Sequence, residues 1–135
     1  PDERKVYDTL AVAGVGSIQR VILVPHTQHR MDLRGVVVND LRLALREWLK
    51  LWEQGKSLGK QEVRKPALRE AQALYGQWQE AAKRGLPVEF LDPKTHVFLV
   101  FLVSLGSGGE PREAKIVTAY WKGLQDPRPP GSGAC

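Results

Sequence analysis

Cysteine is nearly absent. The single thiol, Cys135, is the last of 135 residues, so no disulfide can form within the chain and no cysteine-based metal site is available. A small secreted domain usually needs such staples. This one therefore works in reducing surroundings or is held by its core alone. Long apolar runs are missing too. The longest, Val97 to Leu105, is interrupted by Ser104 and falls far short of the ~20 residues of a membrane-spanning helix, so a membrane is not an expected partner. The chain opens at Pro1 without Met or a signal-like segment, which reads as a processed product or a domain cut from a larger parent. No internal repeat is visible.

Aromatic residues are present in number. Four Trp, three Tyr and three Phe need a core to bury in, which excludes disorder of the whole chain. The length fits one domain and is too short for two. Twenty Lys plus Arg against fifteen Asp plus Glu leave a charge of +5. That excess favours an anionic partner, nucleic acid first, although a charge of this size also serves solubility.

The pattern along the chain predicts an α+β fold, with an antiparallel sheet of about four strands packed against N-terminal and inserted helices. Residues 1–17 read as a flexible N-terminal segment, 18–122 as the single domain and 123–135 as a loose tail rich in Pro and Gly. Ile18 to Val24 has the β-branched content of a strand, stopped by Pro25. His26 to Arg34 reads as a short helix closed by Gly35. Asn39 is the expected N-cap of a second helix, whose Leu41, Leu45, Trp48, Leu49 and Trp52 recur at helical spacing and which Gly55 should end. Lys56 to Pro66 reads as a loop and Ala67 to Arg84 as a third helix, antiparallel to the second. Strands are expected at Pro87–Leu91, at His96–Leu105 in the middle of the sheet, and at Ala114–Trp121, with Asp92-Pro93-Lys94-Thr95 as a turn.

Three groups of residues carry candidate chemistry. In His26-Thr-Gln-His29-Arg30-Met-Asp-Leu-Arg34, helical spacing puts His26, Arg30 and Arg34 on one face, with His29 one step round. Like charges stacked in this way destabilise a helix unless an anion lies between them. Arginine forks bind phosphate through paired hydrogen bonds, and imidazole moves protons near neutral pH. Together they describe a phosphodiester-cleaving site without metal. The same segment is also compatible with a solvated basic helix, or with an arginine site for a phosphate-bearing cofactor such as a dinucleotide. Metal ligation by His26 and His29 lacks a third ligand at suitable spacing. In the last strand, alternation puts Thr118 and Tyr120 on one face, where two hydroxyls can orient a phosphate or ribose and the phenol ring can stack a base. Ordinary strand composition explains the same residues. At the turn, Lys94 is a possible phosphate contact and His96 a second proton carrier, or simply a turn residue and a strand-end histidine.

Trp48, Trp52 and Trp78 read as core or helix-pairing residues. The mixed charges from Glu47 to Glu70 read as a solvated face able to steer RNA inward. Gly14-Val-Gly16-Ser17 precedes a strand and lacks the lysine of a nucleotide loop.

His26-x-x-x-Arg30-Met31-x-x-Arg34-Gly35-Val36, followed by Asn39-Asp40-Leu41-x-x-Ala44-Leu45, resembles the amino-terminal signature of small toxin-like domains in the barnase–EndoU–colicin–RelE ribonuclease superfamily. Ile116-Val-Thr118-Ala-Tyr120 is similar to their closing strand. The likeness covers about 35 of the 135 residues. It implies a sheet of four antiparallel strands with one or two helices, and a toxin module, a delivered toxin or a domain attached to a phage protein. It also implies His26 and Arg34 as the main catalytic positions, with Arg30, Thr118 and Tyr120 supporting. The stretch from Lys56 to Leu86, with its whole extra helix, departs from the pattern.

The expected activity is a metal-independent, cofactor-free endoribonuclease acting in the cytoplasm, in which the 2′-hydroxyl attacks phosphorus to leave a 2′,3′-cyclic phosphate. His26 would carry the proton with His29 or His96 as partner. Arg34 and Arg30 would face the developing charge, and an antitoxin or immunity protein would be the second partner. The competing expectation is a non-catalytic basic module that binds nucleic acid or protein, for example within a phage protein.

Overall fold

The computed structural model describes residues 5–8, 16–23 and 25–122. The expected tail 123–135, Cys135 and most of the 1–17 segment lie outside them. Eight elements follow one another: β1 (Lys5–Asp8), β2 (Arg20–Leu23), α1 (Pro25–Arg34), α2 (Val38–Leu58), α3 (Pro66–Arg84), β3 (Val88–Leu91), β4 (Val97–Leu105) and β5 (Pro111–Trp121).

The class is α+β. The strands form one sheet in the order β1-β2-β5-β4-β3, and β1 arises within the segment that sequence reading left without structure. Pairing is antiparallel except between β2 and β5, which run parallel. That pair makes the sheet mixed where an all-antiparallel one was expected. A parallel neighbour requires a long crossover, and everything from α1 to β4 supplies it.

Helix α2 starts earlier and ends later than its sequence signals suggest. Its N-cap is Val37, and the Asp40 carboxylate three residues on accepts the Val37 N–H at 2.9 Å. The acidic side chain thus satisfies an orphan donor at the helix start, in place of the expected Asn39 cap. The helix passes through Gly55 to Leu58 and closes at Gly59. Gly55 is an approach point between helices: a Cβ there would lie 2.4 Å from Tyr75 Cβ and 2.5 Å from the Ala71 carbonyl oxygen of α3. Helix α3 begins with Pro66 at its first turn and ends at Gly85 in the left-handed conformation, as expected from backbone preferences.

The tryptophans form the core, as the sequence suggested. Trp48 is fully buried, with ring centroids 5.3 Å from Trp52, 5.6 Å from Trp78 and 5.1 Å from Phe101. These tilted and edge-on contacts suit aromatic quadrupoles. They fasten both long helices to one face of the sheet, where Leu99 and Phe101 of β4 and Ala114 and Ile116 of β5 are buried. The inserted α3 is therefore part of the core, and not an appendage to it.

Candidate nucleic-acid interface

The position of Thr118 and Tyr120 follows from one irregularity in β5. Ile116 pairs with Phe101 and Thr118 with Val100, so Val117 is an extra residue without a partner on β4. This bulge shifts the alternation by one. Ala114 and Ile116 face the core before it, and Ala119 faces the core after it. Thr118 and Tyr120 are thereby turned to the opposite face. Among the described residues no helix covers that face: α2 and α3 pack on the other. Across it the register aligns Leu91, Phe98 and Tyr120 in one row over β3, β4 and β5. The Phe98 and Tyr120 ring centroids are 5.3 Å apart.

Helix α1 brings cations to this row. Strand β2 stops at Leu23 opposite Ile116, and β5 continues to Trp121 without it. Helix α1 follows β2 and lies where β2 would have continued. Thr27 and Met31 are buried and Arg34 half-buried, so the i, i+4, i+7 stripe faces the sheet. The Thr27 hydroxyl donates to the Val117 carbonyl at 3.1 Å. Arg34 Nη1 donates to Thr118 Oγ1 at 3.2 Å and to the Ala119 carbonyl at 3.4 Å. Both side chains satisfy carbonyls that a continuing strand would otherwise have taken. The Arg34 guanidinium also lies 5.3 Å from the Tyr120 ring centroid, and Lys122 Nζ lies 4.4 Å from that of Phe98. Two aromatic rings on a sheet face that no described helix covers, each with a cation near it, can hold bases by stacking and phosphates by charge.

The other expected site residues are distributed as follows. His26, His29 and Arg30 are exposed on α1. His26 and Arg30 share a ridge with Arg34, and His26 stands about 12 Å along the helix axis from it. No hydrogen bond or ion pair joins His26 or His29 to the row among the described residues. His96 is exposed, has φ +65, and heads β4. Its carbonyl accepts the Lys122 N–H at 2.7 Å, so this imidazole belongs to the residue facing Lys122 at the end of the row. Lys94 points away from the row, to Glu47 of α2 at 3.3 Å. The structure brings Arg34, Thr118 and Tyr120 together, and Phe98 and Lys122, which the sequence did not single out, lie beside them. Phe98 was hidden inside a nearly continuous apolar strand in which period-two alternation cannot be seen. Lys122 stands one residue past the strand expected at Ala114–Trp121, where no local pattern marks it.

Two clefts of about 300 Å³ among the described residues are lined by side chains outside this row. Among the described residues no group of three or more His, Cys, Asp or Glu side chains could hold a metal ion, and no helix is long and apolar enough to cross a membrane. Comparison with protein-family models, with curated proteins and with solved structures finds no match to this chain.

Proposed function

We propose that this protein binds single-stranded RNA on the outer face of its sheet. The observation that carries the reading is the Phe98–Tyr120 pair with Arg34 and Lys122 above the two rings. A sheet face that no described helix covers and that carries aromatic rings suits an extended polymer whose bases are unstacked, and RNA is commonly recognised in that form. The Thr118 hydroxyl, held by Arg34, stands beside the rings as a donor and acceptor for a ribose or phosphate oxygen. The net charge of +5 adds long-range attraction to the same partner.

The test is titration of a fluorescent single-stranded oligoribonucleotide in EDTA against wild type and Tyr120→Ala. Loss of one stacking platform should weaken binding by about 1–3 kcal/mol, roughly 5- to 150-fold. Absence of binding at low salt, or identical affinity for Tyr120→Ala, overturns the reading.

A second reading, the toxin-like metal-independent endoribonuclease, is supported by two observations. Arg30 and His26 continue the α1 ridge that begins at Arg34, and His96 sits at the end of the aromatic row. The barnase-like signature described above adds to it. In this reading the bound strand is cut by 2′-hydroxyl attack, with Arg34 facing the developing phosphorane charge and an imidazole moving the proton. The same titration samples decide it. Cleavage in EDTA that leaves 2′,3′-cyclic phosphate ends, and that disappears in His26→Ala or His96→Ala, is the expected result. Binding without cleavage leaves the protein a non-catalytic module.

A further inference from the structure

The turn between β3 and β4 forms one wall of a cleft of about 300 Å³ against α2, with Arg46, Glu47, Lys50 and Lys94 in its lining. The turn is fixed from within. Asp92 is fully buried, and its carboxylate accepts the Lys94 N–H at 3.1 Å and the Thr95 hydroxyl at 2.6 Å. This carboxylate is turned into the turn, which presents Lys94 outward. Across the cleft, one oxygen of Glu47 accepts from Lys94 Nζ at 3.3 Å and from Lys50 Nζ at 3.1 Å. The two ammonium groups, one from the turn and one from the helix, are thereby held within about two hydrogen-bond lengths of each other. Arg46 lies one residue before Glu47 in the same lining. Exposed ion pairs of this kind add little to stability. What the arrangement does supply is two lysines positioned by Glu47 and a third cation, Arg46, in the lining of the same concavity, a set of donors that an oxyanion can use.

The turn that walls the cleft is bonded to the strand end that carries the aromatic row. The His96 N–H donates to the Asp92 carbonyl at 2.8 Å, and the His96 carbonyl accepts from Lys122, whose ammonium lies over Phe98. His96 thus ties the turn to Lys122 at the end of β5. A strand with bases on Phe98 and Tyr120 would pass the end of the sheet at His96 and bring its next phosphates to Lys94 and Lys50.

We propose that the α2–turn cleft is a phosphodiester subsite, in which Arg46, Lys50 and Lys94 take the backbone of the same RNA strand and Glu47 positions the two lysines. The inference rests on the RNA-binding reading. It makes the interface two-part, with bases on the open sheet face and phosphates in the cleft.

The experiment compares a dinucleotide with a single-stranded dodecamer over a range of salt concentrations. The proteins are wild type, Tyr120→Ala, the triple variant Arg46→Gln/Lys50→Gln/Lys94→Gln, and a charge-matched control, Lys60→Gln/Arg64→Gln/Lys65→Gln, in the exposed α2–α3 loop and at the start of α3. Thermal unfolding confirms that each variant is folded. The cleft variant should bind the dinucleotide like wild type and the dodecamer more weakly. Its plot of log affinity against log salt should be shallower by about 0.7 for each cation engaged, up to about 2 in all. The loop control should keep the wild-type slope, and Tyr120→Ala should weaken both ligands. A cleft variant with wild-type affinity and slope on the dodecamer overturns the subsite and leaves RNA binding intact, as does an equal loss in the loop control. Wild type that binds neither ligand overturns RNA binding and the subsite with it. Displacement of the dodecamer by an acidic peptide, with no change in slope in the cleft variant, assigns the cleft to protein and overturns the subsite.

Discussion

Replacing Gly55 by alanine tests the joint between the two long helices, because two known effects act in opposite directions there. Alanine is favoured over glycine inside a helix by about 1 kcal/mol. Against this, the new methyl would sit 2.4 Å from Tyr75 Cβ and 2.5 Å from the Ala71 carbonyl oxygen. Neither neighbour is the end of a flexible side chain, so relief requires α2 and α3 to part by about 1 Å. That movement loosens the Trp52–Tyr75 and Trp48–Trp78 contacts. Overpacking costs about 1–3 kcal/mol, and an approach of 2.4 Å belongs in the upper half of that range, about 2–3 kcal/mol, so the packing term wins. Gly55→Ala should be destabilised by about 1–2 kcal/mol, which lowers Tm by about 3–12 °C for a domain of this size. Gly76, inside α3 with nothing within 4 Å of its would-be Cβ, provides the matched control. There only the propensity term operates, and Gly76→Ala should gain up to about 1 kcal/mol. Urea and thermal unfolding followed by circular dichroism measure both. If the two variants shift in the same direction, the close approach of α2 to α3 is refuted.

Three further outcomes are expected. Arg34→Ala should lower stability by about 1–2 kcal/mol through loss of its bonds to Thr118 and Ala119, while also weakening RNA binding; an unfolding midpoint equal to wild type contradicts the edge-covering role of this arginine. At His96, whose φ is +65, glycine should be more stable than alanine by about 1 kcal/mol in thermal unfolding, the reverse of the usual order. The Glu47 carboxyl is pushed up by burial, but the hydrogen bonds and charges of Lys50 and Lys94 outweigh this and hold it below its ordinary value. A lowered folded pKa contributes stability that is present above the unfolded value of about 4.3 and is lost as pH falls through the folded one. The stability difference between wild type and Glu47→Gln should therefore shrink as pH drops below about 4, and a difference as large at pH ~3 as at pH ~7 contradicts the double bridge.

By itself the sequence determined what is local. The stripe from Leu41 to Trp52, the proline and glycine that bracket α3, and the turn at Asp92 specify their elements because each depends on neighbours within a few residues. The i, i+4, i+8 spacing likewise placed His26, Arg30 and Arg34 on one ridge. Tertiary structure decided the rest. Gly55 has the signature of a helix end, yet α2 continues through it, because α3 packs against it and only glycine leaves room. Strand β2 runs parallel to β5 because the intervening chain crosses the sheet, which no local pattern encodes. Above all, simple alternation from Ala114 and Ile116 would have sent Thr118 and Tyr120 into the core. Helix α1 bonds to the Val117 carbonyl from 90 residues away, and the pairing offset that leaves Val117 unpartnered is set between β5 and its neighbour β4. That long-range geometry turned the two hydroxyls outward beside Phe98, Lys122 and Arg34.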